Sequence, residues 1–117
     1  MKSQSLVEEW LKRANSNLFR AKLGKVSEEV LYEDLCFDCE QAVEKSIKAL
    51  LVQRGVPFPK THSIAYLIEL IEDSGLDVSD EIKEAVSLTA YAVGTRYPGE
   101  FEPVDEREYL EALKIAE

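Results

Sequence analysis

The sequence predicts an all-α protein: an antiparallel, up-and-down four-helix bundle with a short fifth helix, forming a single domain over residues 1–117. Three observations point there. Apolar residues return at steps of three and four along most of the chain. The interruptions carry the residues that start and stop helices. No segment reads as a strand.

The first helix is expected to open at Ser5, with Glu8 three residues later in a capping-box arrangement. Leu6, Trp10, Leu11, Ala14, Leu18, Ala21 and Leu23 form its apolar stripe, and Gly24 stops it. The second is expected from Ser27 to Arg54, with Gly55 as its stop. A helix of that length spans roughly 40 Å and would be the centre of the bundle. Pro57 and Pro59 then break the chain, because neither can lie inside a helix. The third helix starts at Thr61 or Ser63 and ends at Gly75, with Ile64, Leu67, Ile68 and Ile71 on one face. The fourth opens at Ser79, carries Ile82, Ala85, Val86, Thr89 and Val93, and stops before Pro98. The fifth opens at Asp105, again with a glutamate, Glu108, three residues on.

A hydrophobic fraction of 45% in 117 residues suits one domain with one core. No run of about 18 apolar residues is present, so a membrane span is not expected. The first residues lack the apolar core of a signal peptide, which makes the cytoplasm the expected location. The net charge is −9, and it is unevenly placed. Residues 1–71 hold ten acids and ten bases; residues 72–117 hold thirteen acids and four bases. Such a balance disfavours nonspecific nucleic-acid binding, which needs a positive field. The local exception is residues 12–25, where Lys12, Arg13, Arg20, Lys22 and Lys25 occur without an acid. Arg13, Asn17 and Arg20 share a helix face there. They are either a solvated face or a patch for RNA phosphates or an acidic partner.

Cys36 and Cys39 are the only cysteines. One Cys-x-x-Cys pair cannot supply four zinc ligands, and redox pairs usually sit at a helix N-terminus. These two fall mid-helix and read best as packing residues. Nothing in the sequence calls for a metal or a cofactor. It has no glycine-rich phosphate loop, no nucleophile elbow and no metal-ligand helix pair, so no catalytic residue can be named from an independent motif.

Two stretches carry more specific information. Residues 32–51 read YEDLCFDCEQAVEKSIKALL, and residues 91–99 read YAVGTRYPG. Together they resemble the HEPN family of small all-helical domains, over nearly the whole chain. The resemblance implies a helical fold that is usually dimeric. Many members are ribonucleases, whose motif is an arginine followed four to six residues later by a histidine. Arg96 matches that arginine, but the residues after it, Tyr97 to Val104, include no histidine. The only histidine, His62, stands far upstream, where it is expected to cap or pack at a helix start. A group titrating near neutral pH is therefore missing.

Arg96 itself has two readings. A planar, permanent cation before the Pro98-Gly99 turn can hold a phosphate, or it can face the helix dipole and pair with Glu100 or Glu102. On the second helix Asp34, Asp38, Gln41 and Lys45 form a polar stripe at steps of four, three and four, and Glu44 and Lys48 form an i,i+4 pair beside it. Gln41, Glu44, Lys45 and Lys48 match positions typical of the family, where this helix lines a dimer cleft opposite the motif arginine. The resemblance thus implies a groove in which Arg96, Tyr97, Lys45, Lys48, Gln41 and Asp38 meet a nucleotide or RNA. Internal pairing of Lys45, Lys48 and Arg96 by Glu44 and Asp38 is the competing account. The expected function is a nonenzymatic binding module, a homodimer and the partner subunit of a small nucleotidyltransferase. The alternative is a toxin-like ribonuclease acting through Arg96.

Overall fold

The computed structural model describes residues 2–91 and 104–117, and among these every regular element is helical. The elements are α1 (Lys2–Leu23), α2 (Tyr32–Gln53), α3 (Ile64–Asp73), α4 (Asp80–Lys83) and α5 (Glu106–Ala116), with a 3₁₀ helix (Glu84–Tyr91) continuing α4. The helical bundle expected from the sequence is present, with α2 at its centre: it packs against α1, α3, the 3₁₀ helix and α5.

Several ends lie where the local chemistry puts them. Ser63, Ser79 and Asp105 each cap a helix by accepting a backbone N–H three residues on, from Tyr66, Ile82 and Glu108. Gly24 and Gly75 follow helix ends at φ +72° and +99°, the left-handed region glycine enters without a Cβ penalty.

Two starts differ from expectation. α1 already runs from Lys2, so Ser5 lies inside the helix rather than capping it. α2 begins at Tyr32, not Ser27. Ser27 Oγ accepts from Glu29 N–H and Ser27 C=O from Val30 N–H, so the serine closes a separate turn. The residue that does precede α2, Leu31, has no capping side chain. At 22 residues α2 spans about 33 Å rather than 40. The fourth segment also changes character, tightening from α to 3₁₀ at Glu84. Its inward residues, Ala85, Leu88 and Tyr91, stand three apart, the spacing that eclipses in a 3₁₀ helix.

Cross-contacts fix how the first three helices run. Trp10 lies near Lys48, Asn17 near Lys45 and Arg20 near Asp38, so α1 and α2 are antiparallel. After α2 the chain turns back without regular secondary structure: Phe58 reaches back to Lys48, and His62 to Glu44. α3 then travels in the same sense as α2, bringing Ser74 to Arg54. The core gathers Leu35, Leu51, Ile64, Leu67, Ile71 and Leu88, with Cys36 and Cys39 fully buried among them. α5 closes it: Tyr109 donates its hydroxyl to Ala21 C=O at the end of α1 and packs on the Tyr32 ring.

Candidate functional site

Helices α1 and α2 meet along a seam that is polar where a bundle core is normally apolar. Asn17, Asp38, Glu40, Gln41, Glu44 and Lys48 are all buried within the single chain. Burying such groups is costly unless each finds partners, so the partners define what the seam can do.

They fall into two clusters. In the first, Asp38 Oδ1 accepts from Asn17 Nδ2 at 2.9 Å and from Arg20 Nη2 at 2.5 Å. Asn17 Oδ1 in turn accepts from Lys45 Nζ at 2.8 Å. The Asp38 carboxylate holds the Arg20 guanidinium above its ordinary pKa, by hydrogen bond and by charge. Lys45 is shifted the other way. Burial lowers its ammonium pKa, and the positive charges of Arg13 and Arg20 add to that lowering.

The second cluster is more deeply buried. Glu44 accepts from Lys48 Nζ at 2.6 Å, from Gln41 Nε2 at 3.2 Å and from His62 Nδ1 at 3.1 Å. Gln41 Nε2 also donates to Glu40 Oε1 at 2.7 Å. Among the described residues no donor reaches Glu40 Oε2. Burial pushes the Glu40 carboxyl up to about 9, helped by its hydrogen bond with Glu44 and by the charge there. For Glu44 burial acts upward too, but hydrogen bonds from Glu40, Lys48 and His62 outweigh it and leave the group below the usual range. At neutral pH the pair is therefore one neutral carboxyl and one carboxylate. His62 Nδ1 faces the Glu44 carboxylate, which can only accept, so the contact requires the hydrogen on that ring nitrogen. The rings of Trp10 and Phe58 close over Lys48, with Nζ 5.4 and 6.0 Å from their centroids.

Measured against the sequence, Asp38, Gln41, Lys45 and Lys48 do lie along one seam, but α1 buries it within the one chain. The internal pairing weighed above holds in part. Glu44 neutralises Lys48, whereas Asp38 takes Arg20 and leaves Lys45 to Asn17. The basic face of α1 is partly absorbed the same way, with Arg13 paired to Glu9 at 2.9 Å. His62 neither caps α3, which Ser63 does, nor packs: its side chain is 56% exposed and tethered to Glu44. Arg96 and Tyr97 lie outside the described residues, as do Glu100 and Glu102.

Glu40 was not among the expected site residues. Its signal was present: an acid four residues before another acid, on a helix stretch flanked by Cys36, Cys39, Ala42 and Val43.

Among the described residues no group of three or more His, Cys, Asp or Glu side chains is arranged to hold a metal ion. Both thiols are buried, and burial with neighbouring negative charge pushes Cys39 up to about 12, which makes it an inert packing residue. No helix among the described residues is long and apolar enough to cross a membrane.

Comparison with known proteins yields one family. The HEPN domain profile matches residues 7–117. No curated protein and no solved structure matches the chain.

Proposed function

The chain belongs to the HEPN family, and from that premise we propose that it is a nonenzymatic member: a cytoplasmic, homodimeric binding module that serves as the partner subunit of a small nucleotidyltransferase in a toxin–antitoxin-like system. The observation that carries this reading is the place of its one histidine. Tyr97 to Val104 contain none, and His62 is held by Glu44 on α2. A ribonuclease of this family would lack its neutral-pH acid–base group, a loss of roughly 10²–10⁴-fold in rate.

The seam also refines how a nucleotide or RNA would be met. Lys48 is paired with Glu44 beneath two rings, so in this reading it is not the main phosphate ligand. Lys45 stays half-buried and hydrogen-bonded to a neutral amide, with Arg13 and Arg20 close enough to lower its pKa. In this reading phosphate contacts belong to Lys45 and to Arg96, Tyr97 is available to stack on a base, and Gln41 and Asp38 shape the seam behind them.

The deciding experiment incubates the pure protein with single-stranded and structured RNA, beside Arg96→Ala and Lys45→Ala variants, and titrates all three with ATP, GTP and a short RNA in a calorimeter. No cleavage, with binding weakened in Arg96→Ala and Lys45→Ala, is the expected result. Robust cleavage that disappears in Arg96→Ala would establish the ribonuclease instead.

A further inference from the structure

A groove of about 960 Å³ opens on the other side of α2, between α2, the end of α3, α4 and α5. Val43, Ser46, Ile47 and Leu50 face it at helical steps of three, one and three. That places them roughly half a turn from Gln41, Lys45 and Lys48, so the groove is separate from the polar seam. Its walls are apolar, and two of their large side chains, Leu76 and Ile82, stand 37% and 49% exposed.

The rim has the opposite chemistry. Asp77, Glu81, Glu84, Glu111 and Glu117 surround the apolar floor, against one base, Lys114, among the described lining residues. All five acids are exposed. Among the described residues no ion pair reaches Asp77, Glu81, Glu84 or Glu111, and Glu117 has only a loose one with Lys22 at 3.9 Å. These residues belong to the part of the chain that holds the whole negative excess.

The two properties together select an occupant. An open apolar floor gains from burial by apolar side chains. A second copy docking groove to groove would bring acid against acid, in a chain of net charge −9. Nucleic acid is repelled for the same reason. We propose that this groove is the docking site for a basic amphipathic helix of a partner protein: its aliphatic stripe lies on Val43, Leu50, Leu76 and Ile82, and its flanking lysines or arginines meet the acidic rim. This surface does not depend on the identity of the partner named above, nor on any nucleotide at the seam.

The probe is a fluorescein-labelled synthetic peptide of about four helical turns, with leucine at steps of three and four and lysine elsewhere. Two controls accompany it: the same peptide with glutamate for lysine, and a scramble of the lysine peptide that destroys the stripe. Fluorescence anisotropy should show the lysine peptide binding with Kd on the order of 10 μM at low salt, weakening as salt rises, and neither control binding. The Ile82→Asp variant and the Glu81→Lys/Glu111→Lys double variant should each weaken it by roughly tenfold or more, the cost of one lost anchor or of a reversed rim. The double variant alters exposed residues alone, so it decides the matter should Ile82→Asp disturb folding, which circular dichroism would report. Failure of the lysine peptide to bind, equal binding of a control, or binding untouched by the double variant would overturn the proposal. So would a wild-type dimer in sedimentation that the double variant dissociates.

Discussion

The two sides of α2 break the usual rule for a globular protein in opposite directions. Toward α1 and the segment around His62 the buried surface is polar, with Asp38, Glu40, Gln41, Glu44 and Lys48 all inside. Toward α4 and α5 the open surface is apolar, with Leu76 and Ile82 exposed inside an acidic rim. The difference lies in what has already been satisfied. Inside, nearly every polar atom has a partner in the same chain, so apart from Lys45, which is bonded to a neutral amide, the seam is a structural commitment. Outside, Leu76 and Ile82 stay uncovered and, among the described residues, the rim acids make no ion pair beyond the loose contact of Glu117 with Lys22, so that side is where free energy of association remains available.

The largest expected effect tests the claim that the seam is committed. Lys48→Met removes a cation that is 9% exposed from a glutamate that is 2% exposed. It leaves Glu44 charged in the core with Glu40, Gln41 and His62 as remaining donors and no countercharge from Lys48, a loss of about 3 kcal/mol in urea unfolding. Adding Glu44→Gln to that variant should recover part of the loss, because the uncompensated charge goes with it. A loss under about 0.5 kcal/mol would place the pair on the surface side of the comparison.

The next effect is a slope in pH. Glu40 has an ordinary pKa of 4.5 unfolded and is pushed up to about 9 when folded. Between those values the native state holds a proton that the unfolded state has released. Stability from this group is therefore greatest below about pH 4.5 and falls as pH rises towards 9. Glu44, depressed on folding, works the other way, and its contribution is lost only as pH falls below the ordinary carboxylate range. Urea midpoints measured from pH 5 to 9 should decline in wild type, and Glu40→Gln, which cannot ionise, should flatten the decline. An unchanged slope in that variant would assign the dependence to another group.

The same contrast explains what could be read from the sequence. Caps and stops were legible because they act locally: Ser63, Ser79 and Asp105 each bond an N–H three residues away, and Gly75 takes a φ that other residues resist. The false start at Ser27 was local too, but ambiguous, since a serine that accepts a nearby N–H closes a turn as readily as a helix. The 3₁₀ tightening went unread because Ala85, Leu88 and Tyr91 were submerged in a pattern that also fits 3.6 residues per turn. At the site, the stripe on α2 was visible as periodicity. Its partners were not, because His62 reaches Glu44 across 18 residues and Asn17 reaches Lys45 across 28. The groove was invisible for the same reason: its walls come from α2, the end of α3 and the turn after it, α4 with its 3₁₀ continuation, and α5.

A smaller effect separates buried from exposed members of one ion pair. Asp38 and Arg20 are 8% and 61% exposed in their side chains. Asp38→Ala strands the buried Asn17 amide as well as the arginine, and should cost about 2 kcal/mol. Arg20→Ala leaves Asp38 with Asn17 and water at its edge, and should cost no more than about 1 kcal/mol once solvent screening is allowed for. Thermal or urea unfolding of the two variants gives the ratio, and equal losses would mean that the asymmetry of burial has no energetic consequence here.

The smallest effect on stability is expected on the apolar side. Ile82 is 49% exposed, and its backbone N–H, not its side chain, is what Ser79 uses to cap α4. Replacing it by aspartate removes little buried apolar area and puts a negative charge in the first turn of a helix, where the dipole favours it. The nearby acids Glu81 and Glu84 oppose that gain. The two contributions are of similar size and opposite sign, so Ile82→Asp should shift unfolding by less than about 0.5 kcal/mol. Set beside Lys48→Met, it asks whether a polar group inside matters more to this fold than an apolar group outside. A loss of 2 kcal/mol or more from Ile82→Asp would mean that Ile82 is covered in the folded protein, by a second copy or by another part of the chain. The groove would then be an interior seam rather than a surface open to a partner.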